Sequence, residues 1–71
     1  MDPEYIFLEA VAKYIDRMLP RSRVIFPDLI QYVFDTTGIE RKPIHMKWAV
    51  KYVRTRGDCK IIRQKGICKN P

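Results

Sequence analysis

Apolar residues recur with helical spacing along the first 19 residues of the chain. Together they would line one face of a helix, and they are Leu8, Val11, Ala12, Ile15 and Met18 or Leu19. Asp2 suits the N-cap, Pro3 suits the first helical position, and Pro20 ends the pattern. The spacing therefore predicts a helix over residues 3–19.

This first helix is apolar over more than one stripe. Four further residues widen its apolar surface: Tyr5, Ile6, Phe7 and Tyr14. A helix that is apolar over a broad arc often contacts a second chain as well as its own core. We therefore expect a homodimer that forms through the first helix.

The next segment predicts a short strand followed by a second helix. "RSRVIF" is too short for a helix and β-branched at its centre, so residues 22–26 are predicted as a short strand or an extended linker. A helix over residues 27–37 then begins at Pro27, and its apolar side holds Leu29, Ile30, Val33 and Phe34. Gly38 suits the position just past its end.

A third helix is predicted over residues 43–56, between Pro43 and Gly57. Its buried stripe has the spacing i, i+3, i+4 and i+7, which gives Met46, Ala49, Val50 and Val53. On a helical projection three cations cluster on one flank of this stripe, namely Lys47, Lys51 and Arg54. Trp48 lies nearly opposite the stripe, whereas His45 and Tyr52 lie on the other flank.

The C-terminal residues predict a β-hairpin over residues 58–70. Two short β-prone segments flank "RQKG", in which Gly66 suits a turn that needs a positive φ. Arg63 and Lys65 would then lie at the turn, with Lys60 and Lys69 along the strands. The predicted fold is mainly α with this small hairpin, in one α+β domain over residues 1–71.

Charge divides the chain into two unlike halves. Residues 1–35 hold four basic and six acidic residues, a net charge of −2, whereas residues 36–71 hold ten basic and two acidic residues, a net charge of +8. A field of this kind favours a polyanionic partner. The alternative is a solvated basic face that only keeps the protein soluble, although such faces usually mix the two signs.

Localisation and catalysis are constrained mainly by what the sequence lacks. Its longest apolar run is far shorter than the roughly 18 residues of a membrane span. "MDPEYIFLEA" lacks the basic start of a secretory signal, which predicts an intracellular protein of the cytoplasm, nucleoid or nucleus. The sequence has one His and neither a Gly-rich phosphate loop nor a nucleophile elbow. We expect no enzyme activity, no cofactor and no small-molecule substrate.

The two cysteines leave one alternative open. Cys59 and Cys68 belong to no CxxC motif, which argues against zinc. A disulfide between them would bridge the hairpin, but a tight turn ending at Gly66 pairs Cys59 nearer to Asn70 or Pro71. The bond therefore needs a shifted register or a longer loop, and an ordinary cytosol keeps both thiols reduced.

The order helix, short strand, helix, turn, helix, hairpin resembles the winged-helix-turn-helix family of nucleic-acid-binding domains, particularly the compact regulators of archaea, phages and viruses. The resemblance covers roughly residues 3–70. It implies that the third helix enters the DNA major groove and that the hairpin, the wing, touches the backbone or the minor groove. The matching positions are 41–54 and 60–69. "TTGIERK" is longer than the three or four residues of a simple helix-turn-helix connection.

The sequence therefore predicts a sequence-specific double-stranded DNA-binding protein, a transcriptional regulator. Eleven residues are candidate DNA contacts: Arg41, Lys42, His45, Lys47, Trp48, Lys51, Arg54, Lys60, Arg63, Lys65 and Lys69. Arg54 can take guanine in a bidentate manner, whereas the lysines mainly contact phosphates. Trp48 is alternatively a hydrophobic anchor, and His45 an ordinary half-exposed residue. The alternative function is a protein–protein adaptor, and RNA binding is less favoured because few aromatic side chains are available for stacking.

Overall fold

The computed structural model of the protein describes residues 2–63 and 65–71, so residue 64 of the predicted turn lies outside the described residues. The elements in chain order are α1 (Pro3–Arg17), β1 (Arg23–Ile25), α2 (Phe26–Thr37), α3 (Ile44–Thr55), β2 (Cys59–Ile62) and β3 (Gly66–Lys69). The strands form one antiparallel sheet in the order β1-β3-β2. The predicted α+β class is confirmed, including the short third strand.

Local signals explain the helix ends. The Asp2 side chain accepts a hydrogen bond from the Glu4 N–H at 3.0 Å and caps α1. Gly38 ends α2 in the left-handed conformation, at φ 72°, and donates its N–H to the Phe34 carbonyl. The first helix ends at Arg17 rather than at residue 19, because Met18 is already extended. Of the two alternatives for the last apolar position, Met18 packs against the core, whereas Leu19 is 74% exposed.

The core lies between the three helices and the central strand β3. Three of its side chains come from α1, four from α2, two from α3 and one from β3: Phe7, Val11, Ile15, Phe26, Leu29, Ile30, Val33, Ala49, Val53 and Ile67. The predicted apolar side of α2 is confirmed, with Phe34 only partly buried. Burial of these side chains is the main favourable term for a chain of this length.

The buried face of α3 differs from its prediction. His45, Ala49 and Val53 point into the core, whereas Met46 is 38% exposed and Val50 only half-buried. The helix is therefore rotated relative to the predicted stripe. This rotation is possible because the core accepts a histidine ring, and it decides which side chains α3 presents outward.

The hairpin forms as predicted, but its turn does not depend on a positive φ at glycine. Ile62 pairs with Gly66, and Arg63 is the turn residue with a left-handed backbone, at φ 48°. Gly66 is required for another reason. A Cβ at this position would clash with the Val24 carbonyl oxygen and would lie 2.9 Å from the Ile25 Cα.

Cys59 and Cys68 are free thiols. Cys59 pairs with Lys69 and Lys60 pairs with Cys68, so the two cysteines lie one position out of register. Side chains alternate along a strand, and the two thiols therefore point to opposite faces of the sheet. A disulfide would need the shifted register that the sequence left open, and the strands do not adopt it.

Candidate nucleic-acid interface

The outward surface of α3 is formed by basic side chains. With about 100° between successive residues, Lys47 and Lys51 lie opposite the buried His45–Ala49–Val53 stripe, and Arg54 lies beside them. All three are exposed. Their spacing of i, i+4 and i+7 aligns them along one side of the helix. We call Lys47, Lys51 and Arg54 the basic face.

Carboxylates do not neutralise the basic face. The helix α3 contains no acidic residue, and none of its three cations forms an ion pair within residues 2–63 and 65–71. One ion pair in this part of the chain joins Glu9 to Lys13. The others join Asp16 and Asp58 to cations outside the basic face. The positive field of α3 is therefore directed at solvent and is available to an external anion.

Two apolar side chains accompany these cations. Met46 and Val50 line a shallow groove along α3 together with Pro43, Thr55 and the basic face. The sequence had placed both in the core. Met46 is exposed, and Val50 is half-buried with one side packed against the core, so together they give the surface an apolar strip beside its charges.

His45 is removed from the predicted DNA contacts, because it is only 2% exposed. Its ring stacks on Phe7 at a centroid distance of 4.8 Å, and it meets the Phe34 and Trp48 rings edge-to-face at centroid distances of 5.1 and 5.3 Å. Its Nδ1 accepts the Lys42 N–H at 3.0 Å, which requires an unprotonated Nδ1. Burial, and next the charge of Lys42, lowers the pKa of the imidazole. His45 therefore anchors the start of α3.

Trp48 lies on the core side of α3, not opposite the stripe. Its indole is half-buried against Phe7, at a centroid distance of 6.0 Å, and against His45. This contact favours the alternative of a hydrophobic anchor. A base-reading role for Trp48 finds no support in the geometry.

The segment before α3 contributes two further cations. Arg41 and Lys42 are exposed, and the Arg41 guanidinium lies 5.8 Å from the centre of the Phe34 ring. The cation–π contact holds Arg41 while leaving the guanidinium accessible at the surface. The main chain of Lys42 is fixed by its hydrogen bond to His45. The buried histidine therefore positions the backbone from which the Lys42 side chain extends.

The hairpin turn lies next to the N-terminal half of α3. Lys65 and Met46 line one depression together with Ile25 and Pro27. Arg63 and Lys65 are both exposed. Lys60 is exposed on the outer face of the sheet, because its neighbours Cys59 and Ile61 pack towards the core. Lys65 therefore lies beside the surface of α3. Lys60 lies on the opposite face of the sheet from the one that packs on the helices.

Lys69 is also removed from the predicted DNA contacts. Its Nζ donates to the Ile15 carbonyl at 2.9 Å and to Asp58 Oδ2 at 3.1 Å. Arg56 donates to Asp58 at 2.7 and 2.9 Å and to Asp16 at 2.6 Å. We call Asp16, Arg56, Asp58 and Lys69 the Asp58 network. It joins α1 to the ends of α3 and the hairpin.

The Asp58 network was not predicted from the sequence. Its members are up to 53 residues apart, so only a weak local signal exists, the i, i+2 pair of Arg56 and Asp58. Hydrogen bonds from the Arg56 guanidinium hold the pKa of the Asp58 carboxyl well below its usual range, and the bond from Lys69 adds to this. The network accounts for two of the ten cations in the basic half.

We expect Asp58→Asn to lower the free energy of unfolding by about 1 kcal/mol at pH 7, because charge-assisted bonds weaken while a 38% exposed side chain remains screened by solvent. Because the pKa of Asp58 is lower in the folded state than in the unfolded state, its carboxylate stabilises the fold at pH values above its unfolded pKa of about 4. This stabilisation is lost as the pH falls from there through the folded pKa. The difference between wild type and variant in urea unfolding should therefore shrink below pH 4. Asp35→Asn is the matched control, because this exposed side chain accepts a hydrogen bond from Gln31 and, among the described residues, from no other. Equal stability of the Asp58 variant and wild type at pH 7 would contradict a stabilising network.

Comparison of the chain with protein-family models, curated proteins and solved structures gave no match. Eight of the eleven predicted contact residues are exposed cations: Arg41, Lys42, Lys47, Lys51, Arg54, Lys60, Arg63 and Lys65. Among the helices described, none is long and apolar enough to cross a membrane.

Proposed function

We propose that the protein is a sequence-specific double-stranded DNA-binding protein and a transcriptional regulator of winged-helix type, with α3 in the major groove. The observation that carries this proposal is the basic face of α3, which is exposed, aligned along the helix and free of carboxylate partners within the described residues. Such a surface is the electrostatic footprint of a nucleic-acid-binding element.

The dimensions of α3 suit the major groove. A helix with its side chains is about 10–12 Å across, and the groove of B-DNA is about 12 Å wide. Lys47, at the centre of the outward surface, and Lys51 can follow the phosphates of a groove wall. Arg54 offers a planar donor pair to a guanine edge.

The topology supports a winged-helix arrangement. The hairpin β2–β3 follows α3 directly, and its sheet is completed by β1 from between the first two helices. The turn residues Arg63 and Lys65 then contact the backbone or the minor groove beside the α3 site. A narrow minor groove has an enhanced negative potential that attracts such cations.

A homodimer through α1 is part of the proposal. Tyr5 is 57% exposed and Ile6 is half-buried on this helix, so apolar surface remains available to a second copy. A two-fold dimer would present two α3 helices to the two halves of a palindromic site.

The test is a titration of fluorescently labelled random-sequence duplex DNA at salt concentrations from 50 to 300 mM. With six to ten phosphate contacts, we expect the affinity to fall by about 10³–10⁵ between 50 and 200 mM salt, because each contact releases condensed counterions. Selection from the same random pool then yields the preferred site. Absence of binding at 50 mM salt would contradict the proposal and favour an adaptor that binds an acidic protein.

A further inference from the structure

We propose that α3 reads thymine through two apolar side chains, Met46 and Val50, which contact the 5-methyl group of this base in the major groove. The proposal rests on the proposed function, since it requires α3 to enter duplex DNA. It names what gives the site its sequence preference: a thymine at two defined positions.

The first observation is where these side chains lie. Met46 is 38% exposed and Val50 half-buried, although a helix of a small domain gains stability by turning such residues inward. The core side of α3 is instead filled by His45, Ala49 and Val53. The rotation of the helix thus leaves Met46 and Val50 as an apolar strip next to the basic face.

The second observation is the charge beside the strip. Met46 and Val50 share one groove with Lys47, Lys51 and Arg54, and carboxylates are missing from its lining. An ordinary apolar protein partner would have to desolvate these three cations without pairing them. Duplex DNA instead supplies phosphates for the cations and apolar groups between its phosphate walls. Charge complementarity therefore selects DNA as the occupant of the groove.

The chemistry of the base edges then selects thymine. In the major groove every base presents hydrogen-bonding atoms, and thymine is the one unmodified base that also presents a methyl group, at C5. Neither Met46 nor Val50 can donate a hydrogen bond, and only the Met46 thioether is a weak acceptor, so neither side chain satisfies the polar atoms of a base edge. A thioether chain and an isopropyl group do gain free energy by covering a methyl group.

The spacing predicts how the two positions are related. Four residues along a helix correspond to a rise of about 6 Å, close to two base steps of about 3.4 Å each. Met46 and Val50 therefore contact thymines about two base pairs apart.

The experiment uses the duplex selected with the wild-type protein. Each thymine is replaced in turn by deoxyuridine, which removes only the 5-methyl group and keeps the pairing. We expect affinity to fall about threefold to fourfold at two positions, the effect of one buried methyl group, and to stay unchanged at the other thymines. Met46→Ala should abolish the sensitivity at one of these positions and Val50→Ala at the other.

Ile44→Ala is the matched control. Ile44 is 39% exposed on the same helix but lies outside the groove. This variant should keep the full thymine–deoxyuridine difference, and thermal melts show whether each variant is folded. Salt-dependent binding with no deoxyuridine effect, or an effect that survives both groove variants, would overturn the thymine proposal and leave DNA binding intact. Failure to bind any duplex would overturn the proposed function itself.

Discussion

Replacing Lys47, Lys51 and Arg54 together with glutamine should lower the affinity for duplex DNA by about 10²–10³ at 100 mM salt. Each cation that neutralises a phosphate contributes about 0.9 to the slope of log affinity against log salt concentration. Removal of three contacts should therefore make the slope shallower by about 2.7. The measurement is the same fluorescence titration, run with wild type and triple variant across the full salt range.

The change is designed to leave the fold intact. All three side chains are exposed, none takes part in an ion pair within the described residues, and glutamine is a good helix former. A comparable thermal midpoint for variant and wild type would show that any lost affinity reflects the surface rather than unfolding. The slope separates the two explanations further, because a partly unfolded sample binds less without a shallower salt dependence.

A second triple variant controls for net charge. Lys13, Arg17 and Arg23 are exposed cations on α1 and β1, and their replacement by glutamine removes the same three charges. We expect this variant to retain most of the affinity and nearly the wild-type slope. Equal losses in the two triple variants would contradict a DNA site on α3 and would indicate attraction by overall charge alone.

The element order could be predicted because proline, glycine and capping residues mark the boundaries. Asp2-Pro3 and Gly38 act locally, and each does in the structure what its chemistry predicts. Pro27 lies in the first turn of α2, but the helix begins one residue earlier than predicted, at Phe26. The apolar side of α2 was equally clear, because its strongly apolar residues leave one choice of face.

The face of α3 could not be predicted by the same reasoning. Hydropathy ranks Met46 and Val50 above a histidine, so the predicted stripe included them and left out His45. Ala49 and Val53 are buried as predicted. The decision is made by tertiary contacts: the rings of Phe7 and Phe34 surround His45, and the Lys42 N–H satisfies its Nδ1. A buried polar ring with a hydrogen-bond partner carries little penalty. The same rotation moved the cations to the centre of the outward surface.

Ion pairs between residues far apart in the chain also could not be predicted from the sequence. Lys69 was counted among the DNA contacts because the chain alone does not show that β3 brings it to Ile15 and Asp58. Charge counts by sequence segment cannot separate a cation that binds a ligand from one that holds the fold. The remaining candidates are those with no such internal partner in the described part of the chain.

Gly66→Ala should destabilise the fold by about 3 kcal/mol or more, a large part of the roughly 4–10 kcal/mol expected for a chain of this length. Gly66 lies on the central strand and faces Ile25 on one side and Ile62 on the other. The added Cβ would clash with the Val24 carbonyl oxygen and lie 2.9 Å from the Ile25 Cα. Both are backbone atoms, so no rotation of a side chain relieves the contact, and β1 must move away from β3.

That movement reaches the core at once. The residue after β1 is Phe26, which is fully buried and donates its N–H to the Lys65 carbonyl at 2.8 Å. Separation of β1 from β3 strains this bond and the packing of the Phe26 ring together. At about 4–8 °C for each kcal/mol, the thermal midpoint should fall by about 12–24 °C, as measured by circular dichroism.

Gly57→Ala is the control for the loss of a glycine as such. No atom lies within 4 Å of a Cβ at that position, and its φ is not in the left-handed region. Its stability should stay within about 0.5 kcal/mol of wild type. A Gly66 variant as stable as the Gly57 variant would mean that β1 is not held against β3 as closely as described. In that case the sheet would lose the element that ties the hairpin, and with it Lys65, to the α3 surface.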